Sequence, residues 1–438
     1  MTTRRVLGVG SIAVFVGLIL AAPPAVSAQT PAPKPSAAED EYPDLLDGTR
    51  SGKGDQEDDD ALRRGFTRFS TLLEPWFALK QGWRTKYGLT IGGSYGILWQ
   101  NYSQSLIGED NAVGGKFALN AGYQVFKRDQ PDALWFELVI EDRRPVGTEL
   151  PPVLGGVAAG SVSLTTTSWG EFDIGITQAY LRQNLFGNRF QYAVGKIFAP
   201  NFVHAYPFFD DNRQFFNQGT ATFIPIPLRG FGGVGAFYPI EGSRFYVKSG
   251  MYTLLSDDTG FTADDFFTKA EHFYHLDLGF SGLARSPLPL QARGPMDVNN
   301  VYITGWFRNA QEDGTPEAVG VAGNANYIVG GNYMVFGRGG WTNGSLIRGF
   351  AATGVGWRPP SAPGDLFGVG FSWAHPTRGE LVPGLDALRD QYTWEVFYRF
   401  SLTPNLALTP DLQLVRNPSL TPATDRLWVF GFRSRVSF

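Results

Sequence analysis

The sequence predicts an all-β fold: a transmembrane antiparallel β-barrel of about sixteen strands, with a short N-terminal helix and a disordered acidic leader. Segments of alternating apolar and polar residues recur along the chain after residue 87, and clusters of Gly, Pro, Asn and Asp separate them. The apolar face often carries Tyr or Trp at the ends of a segment, whereas the other face carries Glu and Arg. The composition agrees, with 54 glycines, 14% aromatic residues, only 18% charged residues and no cysteine.

Residues 1–28 are predicted to be a secretory signal peptide. Arg4 and Arg5 precede an apolar run, and the small residues Val26 and Ala28 form a cleavage-like site. An uncleaved membrane anchor is the alternative. No later segment contains about eighteen uninterrupted apolar residues, so we expect no transmembrane helix. The chain is therefore expected to be exported into a periplasm-like space, and the predicted barrel would place it in the bacterial cell outer membrane.

Residues 29–62 are rich in Pro, Ala, Gly and acidic residues, with almost no apolar periodicity. This composition predicts a disordered acidic periplasmic leader. Residues 63–86 follow, with aromatic and leucine residues at helical spacing, which predicts an amphipathic helix. Such a helix could pack against the barrel, cap it or plug it.

Residues 87–438 are predicted to form the barrel. Segments are expected to start near Gly88 and near residues 113, 172, 189, 230, 244, 271, 299, 325, 347, 366 and 405. A soluble sandwich would bury its apolar faces in a shared core. Here the apolar face repeats on about fifteen segments against a polar face, which is typical of a barrel with lipid outside and water inside.

The chain closes with "DRLWVFGFRSRVSF", in which the residues alternate with period two. Trp428 and Phe432 fall on the apolar face, and Arg433 and Arg435 fall on the other. We therefore expect both arginines to point into the lumen. Phe438 is expected to end the closing strand on the lipid side and to act as an assembly signal.

Several motifs suggest chemistry that their context does not support. "GFGGVG" (230–235) matches a dinucleotide fingerprint but is followed by a strand pattern, not a helix. "HFYH" (272–275) would place its two histidines on opposite faces of a strand, so no metal site is expected. The pairs Asp210–Asp211, Asp257–Asp258 and Asp264–Asp265 lie in turn-like contexts where aspartate is common. No enzyme activity, cofactor or metal is predicted, and the balanced charge of the body argues against nucleic acid.

Residues 204–218, "HAYPFFDDNRQFFNQ", are long, aromatic and mixed in charge between two predicted strands. Such a loop could fold into a channel, or it could simply be exposed.

Three stretches carry a resemblance to a known family. Residues 402–420, "LTPNLALTPDLQLVRNPSL", contain a Pro-Asp-hydrophobic-Gln strand that ends in Asn-Pro. Residues 179–202 contain a Tyr-hydrophobic-Arg-Gln strand with a Val-Gly-Lys return strand, and residues 246–254 read "YVKSGMYTL". In these features the chain from about residue 65 onward resembles the carbohydrate-selective porins of bacterial outer membranes, the OprB type. Ser419 departs from the family pattern, which has glycine after Asn-Pro.

The resemblance implies a sixteen-stranded porin for facilitated diffusion of monosaccharides and small oligosaccharides through a polar, arginine-rich lumen. The implied partners are small sugars, outer-membrane lipid and the barrel-assembly machinery, with monomer and trimer both open. The alternatives are a general or aromatic-acid channel and, less favoured, an exported all-β enzyme or lectin acting on polysaccharide. The candidate substrate-binding residues, from strand alternation, family-like strands and the infolded loop, are Arg433, Arg435, Arg399, Glu395, Lys248, Arg182, Asp210, Asp211 and Arg213.

Overall fold

The structure is a computed structural model. It describes residues 42–46, 52, 54–56, 59–60, 68–128, 130–221, 229–254, 259–261, 263–282, 299–362, 364–377 and 388–438. The predicted signal peptide, residues 1–28, lies outside the described residues, as does Asp257–Asp258.

Sixteen strands form one closed barrel in which each strand pairs antiparallel with its neighbours in the chain, and β1 pairs with β16. The fold prediction is therefore confirmed. The strands are β1 (Leu89–Tyr102), β2 (Asn111–Phe126), β3 (Leu134–Pro145), β4 (Phe172–Leu185), β5 (Phe190–Ile197), β6 (Gly230–Phe237), β7 (Phe245–Thr253), β8 (His272–Ser281), β9 (Asn300–Arg308), β10 (Ala318–Val329), β11 (Tyr333–Thr342), β12 (Ile347–Trp357), β13 (Leu366–Pro376), β14 (Gln391–Thr403), β15 (Leu406–Arg416) and β16 (Arg426–Ser437).

The predicted strand starts lie within two residues of the observed ones, except at residue 325. There β10 begins at Ala318, seven residues earlier. The stretch "AVGVAGNA" consists mostly of small residues, so its inward and outward positions differ too little in polarity to reveal a strand.

Burial alternates along the strands as the two-sided pattern requires. On β16, Trp428 is 47% exposed on the outer surface, whereas Arg433 is 1% exposed on the inner surface. The "GFGGVG" motif lies within β6 and enters another strand, so it opens no helix. Glycine there lets neighbouring strands approach: a Cβ on Gly232 would lie 2.0 Å from the carbonyl oxygen of Met251.

The helices are short. Helix α1 (Glu74–Tyr87) begins later than the predicted residue 63, with Pro75 in its first turn, where the missing N–H costs nothing. It ends at Gly88, whose left-handed φ of 67° suits glycine. Further helices among the described residues from 68 onward are α2 (Pro152–Ala158), α3 (Gln218–Ala221), α4 (Asp265–Thr268) and the 3-10 turn Ala199–Asn201.

Among the described residues, no helix combines the length and apolar character needed to cross a membrane.

Two long connections matter for the lumen: the β3–β4 loop (146–171), which contains α2, and the β5–β6 loop (198–229). Both leave from the barrel end opposite to the short turns, such as 404–405 between β14 and β15. Short turns mark the periplasmic end of such barrels. α1 and the last residue of β16 lie at the same end as these short turns, which is the end expected to face the periplasm.

Candidate functional site in the barrel lumen

The β5–β6 loop is packed inside the barrel through its aromatic residues. Phe215 contacts Phe336 of β11 and Phe397 of β14, with ring centroids 5.8 Å and 4.9 Å apart. Tyr206 of the same loop lies under the guanidinium of Arg338, 4.1 Å from its ring centroid. The loop therefore fills part of the lumen with its own apolar cluster.

Arg433 attaches this loop to the closing strand. Its Nη1 donates hydrogen bonds to the backbone carbonyls of Asp211 (2.6 Å) and Gln214 (3.2 Å), and its guanidinium lies 4.2 Å from the ring centroid of Phe216. Arg399 donates to the carbonyl oxygen of Arg213 at 3.5 Å. Both arginines point inward, as the alternation predicts, and donate to backbone carbonyls; Arg433 also donates to the Thr409 hydroxyl at 3.3 Å.

Glu395 is also engaged by the loop. Its carboxylate accepts hydrogen bonds from the backbone N–H groups of Phe216 and Asn217 and from the Thr220 hydroxyl, the last at 2.6 Å. The Glu395 side chain is fully enclosed. Its geometry is that of a residue that fixes the path of the loop.

Asp210 and Asp211 are adjacent in the sequence, but their carboxylates bind different partners. Asp211 accepts hydrogen bonds from the Thr167 hydroxyl (2.7 Å) and the Ser168 N–H (2.7 Å), which joins the β5–β6 loop to the β3–β4 loop. Asp210 forms an ion pair with Arg213 at 2.7 Å.

Lys248 and Arg182 lie on a different part of the wall. The Lys248 ammonium is 3.0 Å from the carboxylate of Asp277 on the neighbouring strand, and His275 is 3.3 Å from the same carboxylate. Arg182 pairs with Asp44 and donates to the carbonyl oxygen of Leu46 at 3.1 Å. The predicted residues thus form a loop-anchoring group near β14–β16 and two separate clusters.

The described part of the acidic leader enters the lumen. Residues 54–56 and 59–60 are helical. The carboxylate of Asp59 lies 2.7 Å from Arg435 and 2.9 Å from Arg213, and that of Asp55 pairs with both arginines. Burial opposes the charge on Asp59, but attraction by Arg435 and Arg213 outweighs it and lowers the pKa of Asp59 to about 2.

These contacts differ locally from the expectation of a disordered leader, although most of residues 29–62 lie outside the described residues. Composition indicated that the segment has too little apolar surface to become ordered. In the described residues, ion pairs hold the leader inside the barrel: Asp55 pairs with Arg213 of the β5–β6 loop, and Asp59 pairs with Arg435 of β16. Tyr42 and Leu46 are buried as well.

A polar cavity beside the leader includes residues that sequence reasoning missed. Lys116 of β2 lies 2.9 Å from Glu141 of β3, and Arg143 lies 2.8 Å from the same carboxylate. The indole of Trp169, from the β3–β4 loop, is buried at this cavity, and its N–H has no hydrogen-bond partner among the described residues. The cavity is lined by Asp55, Ser94, Gly96, Lys116, Ala118, Asn120, Val139, Glu141, Trp169, Thr177, Gln178, Phe198, Asn212 and Arg435.

A signal for part of this cavity was present in the sequence. Lys116 on β2 and Glu141 on β3 lie at inward positions of strands in which apolar and polar residues alternate. The period of two that predicted the inward direction of Arg433 therefore predicts theirs as well. Trp169 lies in an irregular connection, where no periodicity indicates where a side chain points.

Comparisons with known proteins add a family. The model of the carbohydrate-selective porins, OprB family, matches residues 309–438. No curated protein matches the chain in sequence.

Among solved structures, the chain is similar to the high-pH structure of Pseudomonas putida OprB, with a TM-score of 0.63 and 14% identity over 85% of this chain and 99% of that chain. It also matches the low-pH structure of the same protein (TM-score 0.49, 13% identity, 85% of this chain and 100% of that one). A mutant of the Rh. blastica porin matches with a TM-score of 0.46 and 11% identity, over 80% of this chain and 100% of that one.

At 14% identity, the similarity to the high-pH structure of Pseudomonas putida OprB shows the fold. The match to the family model agrees with the family resemblance that was predicted from the Pro-Asp-hydrophobic-Gln…Asn-Pro stretch. The matched family and fold are those of outer-membrane channels, which confirms the predicted location and the prediction of a channel rather than an enzyme. The chain is therefore an outer-membrane porin of sixteen strands, similar over residues 309–438 to the carbohydrate-selective porins of the OprB family.

Proposed function

We propose that this porin passes monosaccharides and small oligosaccharides by facilitated diffusion, and that the cavity lined by Trp169, Lys116 and Glu141 contacts the sugar. One observation carries the proposal: the buried Trp169 indole, whose N–H has no hydrogen-bond partner within the described part of the chain, lies beside charged and amide side chains. Aromatic faces pack on the C–H groups of a sugar ring, and polar groups replace the water bound to its hydroxyls. Such binding must stay weak, because tight binding would slow release.

The nine residues predicted from the sequence receive two roles in this proposal. Arg433, Arg399, Glu395 and Asp211 shape the constriction by holding the β5–β6 loop in the lumen. The remaining five supply charge to the lumen: Arg435, Lys248 and Arg182 from the wall, and Arg213 and Asp210 from the β5–β6 loop.

The test is uptake into liposomes that contain the purified protein, with glucose, maltose and a neutral amino acid as solutes. We expect saturable sugar uptake, and we expect Trp169→Ala to remove the saturation while the barrel stays folded. Trp428→Ala is the matched control, because its indole is exposed on the outer surface. Equal, non-saturable passage of sugar and amino acid would instead indicate a general channel.

We also propose that Phe438 acts in assembly, where the barrel-assembly machinery meets the closing strand, and that the outer aromatic residues face lipid. The Phe438 backbone exchanges two hydrogen bonds with Gly93 of β1, at 2.8 Å and 3.0 Å. Its ring stacks on the ring of Phe117 of β2, with the ring centroids 6.3 Å apart. The terminal residue thus completes the contact between the first and last strands.

A further inference from the structure

Arg435 and Arg213 hold a carboxylate between them, and the chain itself supplies that carboxylate. Arg435 binds Asp59 with two parallel contacts, Nη1 to Oδ1 at 2.7 Å and Nη2 to Oδ2 at 3.0 Å. Arg213 binds the same Oδ1 from its Nη2 at 2.9 Å. This is the bidentate geometry by which a guanidinium recognises a carboxylate.

The two arginines depend on the leader to different degrees. Arg213 also pairs with Asp210 of its own loop. Among the described residues, Arg435 has ion pairs only with Asp55 and Asp59. All of these side chains are nearly inaccessible to solvent, so a guanidinium left without a carboxylate there would carry an uncompensated buried charge. Withdrawal of the leader would therefore leave a site that favours another carboxylate.

The surroundings of the site suit a sugar acid better than a simple carboxylate. Arg435 and Asp55 line the same cavity as Ser94, Lys116 and Asn120, whose polar atoms can bind hydroxyls. The amide of Asn120 already donates a hydrogen bond to Asp55. A carboxylate in the position of Asp59 would thus have hydrogen-bonding groups for a polyhydroxylated ring next to it.

We propose that Arg213 and Arg435 form a carboxylate-binding site for sugar acids such as uronates, and that Asp55 and Asp59 occupy it as a tethered inhibitor of permeation. This inference rests on the proposed sugar-porin function, because the site lies in the same lumen. The leader is then a competitor for the site: a sugar acid and the leader exclude one another, and the pore conducts less while the leader is bound.

The experiment is single-channel recording in planar bilayers, with sodium glucuronate and glucose as probes. The key variant is Asp55→Asn/Asp59→Asn in the full chain, which keeps side-chain shape and removes the charge. We expect its conductance to rise by about twofold or more, because the leader is released from the lumen. Glucuronate should then reduce its current with saturation, whereas glucuronate should have little effect on the wild-type channel.

Two further variants keep the result interpretable. Glu109→Gln/Glu149→Gln removes the same charge from exposed loop positions and should behave as wild type. Asp55→Lys/Asp59→Lys should release the leader even if the asparagine amides still bind the arginines. Folding of each variant is checked by the change in gel migration on boiling.

Unchanged conductance in both leader variants, or absence of glucuronate block in both, would overturn the proposal. Arg435→Gln added to the asparagine variant should abolish the block, and persistence of the block would also overturn it. The function proposed above is judged separately, by glucose uptake through the wild-type protein, so the two can fail independently.

Discussion

Replacement of Arg433 by methionine should release the β5–β6 loop from the wall without unfolding the barrel. Methionine keeps most of the side-chain length but donates no hydrogen bond, so the carbonyl oxygens of Asp211 and Gln214 lose their donor. A buried acceptor left unsatisfied costs about 1–3 kcal/mol, and two of them cost about 2–6 kcal/mol. Even the lower value shifts the equilibrium between docked and released loop by about 30-fold.

The released loop should leave more of the lumen open, and it should withdraw Asp211 from Thr167 and Ser168, which directly precede the cavity residue Trp169. We therefore expect Arg433→Met to raise single-channel conductance and to convert saturable glucose uptake into uptake that rises linearly with concentration. Glu395 still binds the loop, so the effect should be smaller than that of deleting the loop. The matched control is Arg426→Met on the same strand, since that side chain is exposed. A folded Arg433→Met protein with wild-type conductance and saturable glucose uptake would refute this reasoning.

Three further predictions concern the cavity, the barrel closure and the leader. Gly96→Ala would place a Cβ 2.7 Å from the Trp169 indole; it should weaken saturable sugar uptake several-fold in liposomes, whereas Gly337→Ala, which meets open space, should not. Deletion of Phe438 should lower the yield of heat-modifiable barrel while the conductance of each pore stays unchanged, and a normal yield would count against its role in assembly. Because the pKa of Asp59 is lowered to about 2, its ion pairs persist above its ordinary value near 3.8 and weaken only as pH falls toward 2. Wild-type conductance should therefore stay constant from neutral pH to about pH 4 and rise below it, and an Asp55→Asn/Asp59→Asn channel should lack this rise.

The strands could be predicted from the sequence because lipid and water impose a period of two on every one of them. Trp428 and Arg433 lie on opposite faces for that reason alone, and so do most side chains from β1 to β16. The same rule explains why the inward direction of Glu395 and Arg399 was predicted correctly. It does not specify what an inward side chain touches. Both bind the backbone of an infolded loop, and that loop has no periodic pattern from which its path could be predicted.

The leader shows a second limit of reasoning from composition. Low apolar content predicts disorder because a segment must offset the loss of conformational entropy by burying apolar surface. Disorder follows only if the acidic side chains stay solvated. The lumen places Arg213 and Arg435 in a confined, buried space, where the carboxylates of Asp55 and Asp59 compensate their charges. Arg213 also pairs with Asp210 of its own loop. The partner of the acidic segment is therefore the inner face of the barrel, and the sequence of the segment itself does not contain that information. A sugar porin with an arginine-rich lumen creates a site for acids, and an acidic leader of the same chain is the carboxylate present at the highest local concentration.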